Sequence, residues 1–207
     1  MSKTRVYLYP VWIRIWHIIN AITFLLLVAT GISLHYASPD NFVIPFEISV
    51  SIHNVCAIIL TVNYGFYVLG NIVSGNGKYY TGLKEDVRKN LMKQAIFYIS
   101  GMFKKEKHPF EIDEKRKFNP LQKISYAAVM YVCMPLIIIS GIGLLFPDIV
   151  IMNIFGGRGL AITDYLHQIM AFCISIFLLI HLYTCTLGTK PGTLFKSMIN
   201  GYHEEEH

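Results

Sequence analysis

Formal charge is scarce in this chain: 15% of its 207 residues are Asp, Glu, Lys or Arg, against 54% that are hydrophobic. An average soluble domain carries about 25% charged residues, so a water-exposed globule is excluded and a membrane protein is implied. The motifs CxxC and CxxCH are lacking, because Cys56, Cys133, Cys173 and Cys185 stand singly inside apolar runs. That leaves iron–sulfur ligation and covalent c-type haem unsupported within the chain and reads the cysteines as small packing residues. Internal repeats and low-complexity tracts are also absent, so residues 1–207 read as a single membrane domain.

Basic residues are missing from two particular places. Of the 18 Lys and Arg, twelve lie between Lys78 and Lys123, Lys3, Arg5 and Arg14 stand near the N-terminus, and Lys190 and Lys196 near the C-terminus. The stretches Ala37–Glu47 and Asp148–Ile162 share only Arg158. The net charge of +5 is therefore no footprint for nucleic acid, and none is expected as a partner. The asymmetry is that of a polytopic membrane protein whose termini and long middle loop are cytoplasmic and whose two short loops face outward.

What the sequence does contain is four stretches almost free of charge, about 11–36, 48–73, 121–147 and 163–187. Each exceeds the roughly 20 residues that cross a hydrocarbon core. The first is not expected to be a removable signal: it runs about 25 residues, lacks a small-residue cleavage site and holds Arg14 and His17. The fold class is thus all-α, a bundle of four transmembrane helices with both termini cytoplasmic. The cytoplasmic loop, about 74–120, is too long to lack structure of its own. Within it, Gly82–Phe103 places Leu83, Val87, Leu91, Met92, Ala95, Ile96, Ile99 and Met102 near helical spacing among basic residues, which predicts an amphipathic helix on the inner membrane surface. Asn119-Pro120 opens the third span, and Pro135 is expected to kink it.

Five of the eight histidines, His17, His35, His53, His167 and His181, lie within or at the ends of spans. An ionisable side chain at that depth is costly and marks function, and neutral imidazole is the common protein ligand of haem iron. His167 and His181 are 14 residues apart, about 21 Å along a helix and nearly on one face. Span directions put His17 at the depth of His181 and His53 at the depth of His167. Two bis-imidazole clamps follow, His17 with His181 for an inner b haem and His53 with His167 for an outer one. His35, five turns after His17, is an alternative outer ligand. The third span has no histidine and reads as a wall. Gly31 and Gly141 are candidates for close approach of a porphyrin, and Arg14 for a propionate partner. The ending His203-Glu-Glu-Glu-His207 formally matches HExxH but sits in a polar tail with no third ligand in sight, a poor zinc site.

The opening Arg14-Ile-Trp-His17, the following Thr30-Gly31, the His167/His181 spacing and the closing Ser197-Met-Ile-Asn-Gly201-Tyr resemble the cytochrome b subunits of membrane-bound oxidoreductases. These include the b-type cytochrome of nickel–iron hydrogenase, the gamma subunit of formate dehydrogenase and thiosulfate reductase cytochrome b. The thiosulfate-reductase branch is the most similar, through Gly77-Lys-Tyr-Tyr80 and Phe118-Asn-Pro-Leu-Gln-Lys123 leading to Pro135 and Ser140-Gly141; the long basic loop departs from the formate dehydrogenase pattern. The resemblance implies two b haems on the four matching histidines and a site beside the inner haem for menaquinone or ubiquinone, with Asn119 and Gln122 at it. It further implies a bacterial or archaeal cytoplasmic membrane and, at the outer face, an iron–sulfur or multihaem cytochrome subunit with a catalytic subunit that holds the main active site. The expected function is electron transfer between the quinone pool and that partner. A stand-alone b561-type dihaem oxidoreductase and a haem-free transporter or anchor with membrane histidines are the alternatives.

Overall fold

The computed structural model describes residues 3–36, 44–80, 87–101, 104, 106, 109–110, 116–154, 157–187 and 192–206. Four helices in it are long and apolar enough to cross a membrane: Val11–His35 (α1), Phe46–Ser74 (α2), Pro120–Leu145 and Gly159–Cys185. The protein is an all-α four-helix membrane bundle, and these bounds fall within four residues of those read from the sequence. Proline sets two of the starts, Pro10 and Pro45 standing just outside α1 and α2 in extended conformation. Gly75 ends α2 in the left-handed region, φ 66°.

The third span is interrupted. It comprises α4 (Pro120–Ala128), a π-helical turn at Val129–Cys133, and α5 (Met134–Leu145). Pro135 cannot donate a backbone hydrogen bond and its ring crowds the carbonyl four residues back, so the irregularity falls in the turn just before it. A widened turn leaves a carbonyl without its helical donor, a costly state in lipid. The Tyr64 hydroxyl of α2 donates to the Met130 carbonyl at 2.9 Å and fills that need.

Between the second and third spans, Val87–Ile96 (α3) continues into a π turn, Phe97–Gly101. The expected surface helix is there in shorter form; Gly82–Asp86, Met102, Phe103 and His108 lie outside the described residues. Gln94, Phe97 and Gly101 turn inward while Met92, Ile96 and Ile99 are exposed. Part of the apolar stripe thus faces away from the bundle, as in a helix lying on lipid.

An arrangement absent from the sequence reading ties the two ends of the chain together. Lys3–Tyr7 (β1) pairs antiparallel with Tyr202–Glu206 (β4), setting Lys3 opposite Glu206 and Arg5 opposite Glu204. His203 stands there opposite Val6. A short hairpin, Asn153–Ile154 (β2) with Gly157–Arg158 (β3), precedes the fourth span, α6 (Gly159–Cys185), and Thr193–Asn200 (α7) leads into β4. The β1–β4 pairing places both termini at one end of the bundle, with α3 and the third span's start at that same end.

Helix α1 packs along α2, and α5 along α6. The two pairs are pinned at mid-height by one aliphatic and aromatic cluster of Phe24, Leu60, Val129, Met134 and Ile174, to which every span contributes. A second cluster, Ile13, Trp16, Tyr67 and Tyr80, fills the end that carries the termini.

Candidate functional site

Two histidine pairs face each other across the seam between the helix pairs. His17 of α1 meets His181 of α6 with ring centres 6.2 Å apart and planes at 58°. His53 of α2 meets His167 of α6 at 6.4 Å and 65°. The first pair lies at the end with the termini and the second toward the opposite end. The mid-height cluster lies between them, Ile174 being seven residues from each α6 histidine.

That spacing can be tested against what it would hold. A metal–imidazole nitrogen bond is about 2 Å, and each ring centre lies about 1 Å behind its nitrogen. Two imidazoles on opposite sides of one metal therefore have centres about 6 Å apart, which is the separation seen twice. Direct packing or a hydrogen bond between the rings would need no such matched gap. Zinc would require about four protein ligands, yet among the described residues no group of three or more His, Cys, Asp and Glu is placed to share a metal ion. Two facing imidazoles with no further protein ligand beside them suit the iron of a haem, which each His pair would hold.

A glycine lies against each ring of the second pair, the closer one at Gly141. A Cβ on Gly31 would stand 3.5 Å from His53 Cε1, and one on Gly141 3.2 Å from His167 Cε1. Beside each glycine a buried hydroxyl meets the ring: Thr30 Oγ1 is 3.0 Å from His53 Nδ1, and Ser140 Oγ is 3.1 Å from His167 Nδ1. Each hydroxyl already donates its proton to the carbonyl four residues back, Leu26 and Leu136, at 2.7 Å. The oxygen can then only accept, so each Nδ1 carries the hydrogen and each Nε2 keeps its lone pair for a metal.

The first pair sits among aromatic rings. Phe177 stacks on His181 at 5.8 Å and 13°, and the Tyr126 hydroxyl lies 3.4 Å from His181 Nδ1. Around His17, Arg14 Nε, Trp16 Nε1 and Asn20 Oδ1 are buried without a hydrogen-bond partner among the described residues. Orphaned buried donors are rare and call for an explanation; carboxylate groups on a cofactor would satisfy two of the three. Both pairs therefore fit haem.

Arg14 donates to the Ile199 carbonyl at the end of α7. His35 ends α1 exposed, its ring against Tyr36, and it is His53 that faces His167. Asn119 and Gln122 form a capping box at the start of α4: Asn119 Oδ1 accepts from Gln122 N at 2.8 Å, and Gln122 Oε1 accepts from Asn119 N at 3.2 Å. Asn119 Nδ2 donates to the Tyr98 hydroxyl at 3.0 Å. The cap leaves the Gln122 NH2 unused.

Thr30, Ser140, Tyr126 and Gln94 escaped the sequence reading as site residues. The first two were visible only as halves of the dipeptides Thr30-Gly31 and Ser140-Gly141. Gln94 is fully buried, and neither amide atom meets a hydrogen bond of ordinary geometry among the described residues, although it lies beside the Tyr98 hydroxyl. A glutamine on the inward face of a surface helix was its only signal.

The comparisons decide the family. The family described as prokaryotic cytochrome b561 matches residues 8–201. This chain belongs to that family. The Escherichia coli (strain K12) protein named "Putative cytochrome YdhU" is 36% identical over 199 residues, covering 96% of this chain and 75% of the relative. The chain is accordingly a multi-pass, b561-type cytochrome of the membrane, with haem b as the cofactor of its family and electron transfer as its work.

Proposed function

We propose that this b561-family chain is the quinone-reactive subunit of an oxidoreductase complex, connecting the quinone pool at the cytoplasmic side with a redox partner at the outer face. The observation that carries this reading is the pair of histidine clamps, nearly equal in span at 6.2 and 6.4 Å and separated along the bundle. When bound, a b haem supplies a one-electron iron couple. His17 and His181 would hold the inner one and His53 and His167 the outer. Each haem would be held by two imidazoles, a ligand set that suits electron transfer rather than oxygen chemistry. The cluster from Phe24 to Ile174 excludes water between them. The concentration of Lys and Arg at the end that carries the termini supports a cytoplasmic orientation for it.

For the quinone, the Gln122 NH2 and the unsatisfied amide of Gln94 offer hydrogen bonds at the level of the inner pair, and Asn119 positions both through the cap and Tyr98. The outer partner is an iron–sulfur or multihaem cytochrome subunit that serves a separate catalytic subunit. Exposed Phe146, Ile149, Ile151 and Met152, in the connection between α5 and α6 at the end of the bundle opposite the termini, support docking there. A stand-alone oxidoreductase would carry the same four histidines; the partner distinguishes the two. Family membership removes the ground for a haem-free transporter.

The first experiment is a reduced-minus-oxidised spectrum of the purified chain with haem measured per polypeptide. Two b haems are expected, His53→Ala retaining the inner one and His181→Ala losing it along with reactivity toward a quinol. A colourless protein refutes the reading. Purification of a tagged chain from its native membrane should bring down a large outer subunit; a two-haem protein that comes alone is the stand-alone enzyme.

A further inference from the structure

The two clamps differ in what stands behind their imidazoles. At the outer pair both Nδ1 atoms face a buried hydroxyl, Thr30 at 3.0 Å and Ser140 at 3.1 Å, and each hydroxyl is spent as a donor on its own helix. The arrangement is repeated in kind: hydroxyl and glycine on one helix cradle a histidine of its packed neighbour, α1 for α2 and α5 for α6. The Ile137 carbonyl also lies within reach of the His167 ring as an acceptor. At the inner pair no hydrogen bond meets the His17 ring among the described residues, and His181 Nδ1 has only the Tyr126 hydroxyl at 3.4 Å.

An acceptor behind Nδ1–H raises the basicity of the imidazole and fixes its tautomer and rotation. A more basic axial ligand favours the ferric over the ferrous state, so such hydrogen bonds lower a haem's reduction potential. We propose that Thr30 and Ser140 are matched positioning residues which hold the outer haem at a lower potential than its ligands alone would give, a matched pair that the inner clamp lacks, having only the longer Tyr126 contact on one of its two imidazoles. The inference rests on the dihaem reading above and deepens it by naming what sets one of the two potentials.

Thr30→Val keeps the shape and removes the acceptor, Thr30→Ser restores the oxygen, and Ser140→Ala removes the second one independently. Each holoprotein is titrated potentiometrically while the two b-type components are followed by their α-bands and by the low-spin ferric EPR signals. Thr30→Val and Ser140→Ala should each raise the potential of the outer component and change its EPR signal. The inner component should stay fixed, Thr30→Ser should lie with wild type, and the double variant should shift further than either single one. The idea is overturned if both haems bind and neither potential moves, if both move together, or if Thr30→Ser behaves as Thr30→Val does. A variant that loses the outer haem is checked by Ser140→Ala, where the same loss without a potential shift in any retained outer haem also overturns it. A wild-type chain lacking two b-type components would instead defeat the dihaem reading itself.

Discussion

Thr30-Gly31 and Ser140-Gly141 look alike in the sequence, yet the structure ranks their glycines differently when each is changed to alanine. At Gly31 the new Cβ meets His53 Cε1 at 3.5 Å, an ordinary van der Waals contact, and nothing has to move. Glycine in a helix interior costs about 1 kcal/mol relative to alanine, so Gly31→Ala should be neutral or stabilising by up to that amount. At Gly141 the Cβ meets His167 Cε1 at 3.2 Å and Nδ1 at 3.6 Å, and the ring must retreat by a few tenths of an ångström. It is poorly free to do so, being held by Ser140 on one side and, in the dihaem reading, by the iron it would bind on the other. Overpacking costs about 1–3 kcal/mol; after the helix gain, Gly141→Ala should be destabilised by up to about 2 kcal/mol. Because 1 kcal/mol moves the melting point of a chain this size by about 2–4 °C, thermal loss of the haem α-band resolves the two variants. Gly141→Ala should melt below wild type with the outer component perturbed, and Gly31→Ala at or above it. Loss of a haem in Gly31→Ala with Gly141→Ala intact would refute the geometry of the outer clamp.

Tyr64→Phe should destabilise the bundle by about 1–3 kcal/mol, since it leaves the Met130 carbonyl of the π turn unsatisfied in lipid; thermal unfolding in detergent reads this, and an unchanged melt would mean that the turn has another donor. Asn119→Ala removes the cap and the tie to Tyr98, and should cost about 0.5–2 kcal/mol while weakening quinol oxidation without removing either haem; Asn119→Asp, which keeps the capping oxygen, should recover the stability. Burial, together with Lys78, pushes Lys117 down to about 8 from the ordinary 10.5, its ammonium donating to Asn76 Oδ1 at 3.0 Å. The unfolded chain therefore binds the extra proton between these pH values, so this group makes stability rise with pH from about 8 toward 10.5. Lys117→Met should flatten the difference in melting temperature between pH 7 and pH 9.5 relative to wild type, and an unchanged slope would count against that placement.

The four spans and the histidine partners were legible because both rest on coarse signals. An imidazole in an apolar run is conspicuous, and the direction of each span follows from where Lys and Arg lie, so depth can be assigned before any contact is known. Second-layer residues were not legible for the opposite reason. Thr30 and Ser140 are the kind of residue that bonds its own helix four residues back, and nothing in sequence tells which of many such hydroxyls also reaches a neighbour's imidazole. Tyr64 was hidden likewise, since its role depends on the register of α2 against the π turn. The β1–β4 pairing went unseen because Lys3–Tyr7 and Tyr202–Glu206 lie at opposite ends of the chain, and only their opposite charges hint at a match. Asn119 and Gln122 stood out in the sequence through the family resemblance, as quinone-site candidates, and what the structure displays is their capping box.

Spacing along the helices explains why one bundle accommodates two clamps without their interfering. His17 precedes Phe24 by seven residues, His53 precedes Leu60 by seven, and on α6 Ile174 lies seven from both His167 and His181. Seven residues are two turns, about 10 Å of rise, with a drift of only about 20° around the axis. Each histidine therefore stands over a mid-height packing residue of its own helix, and the layers run imidazoles, closed core, imidazoles. The third span completes this scheme although it has no histidine. Val129 and Met134 bracket its π turn in the closed layer, Tyr126 lies against His181, and Ser140 with Gly141 against His167. A span that the sequence marks only as a wall thus backs both histidines of α6. The interruption at Pro135 lies between those two supports, where any change in the turn would rotate one ligand's backing relative to the other's.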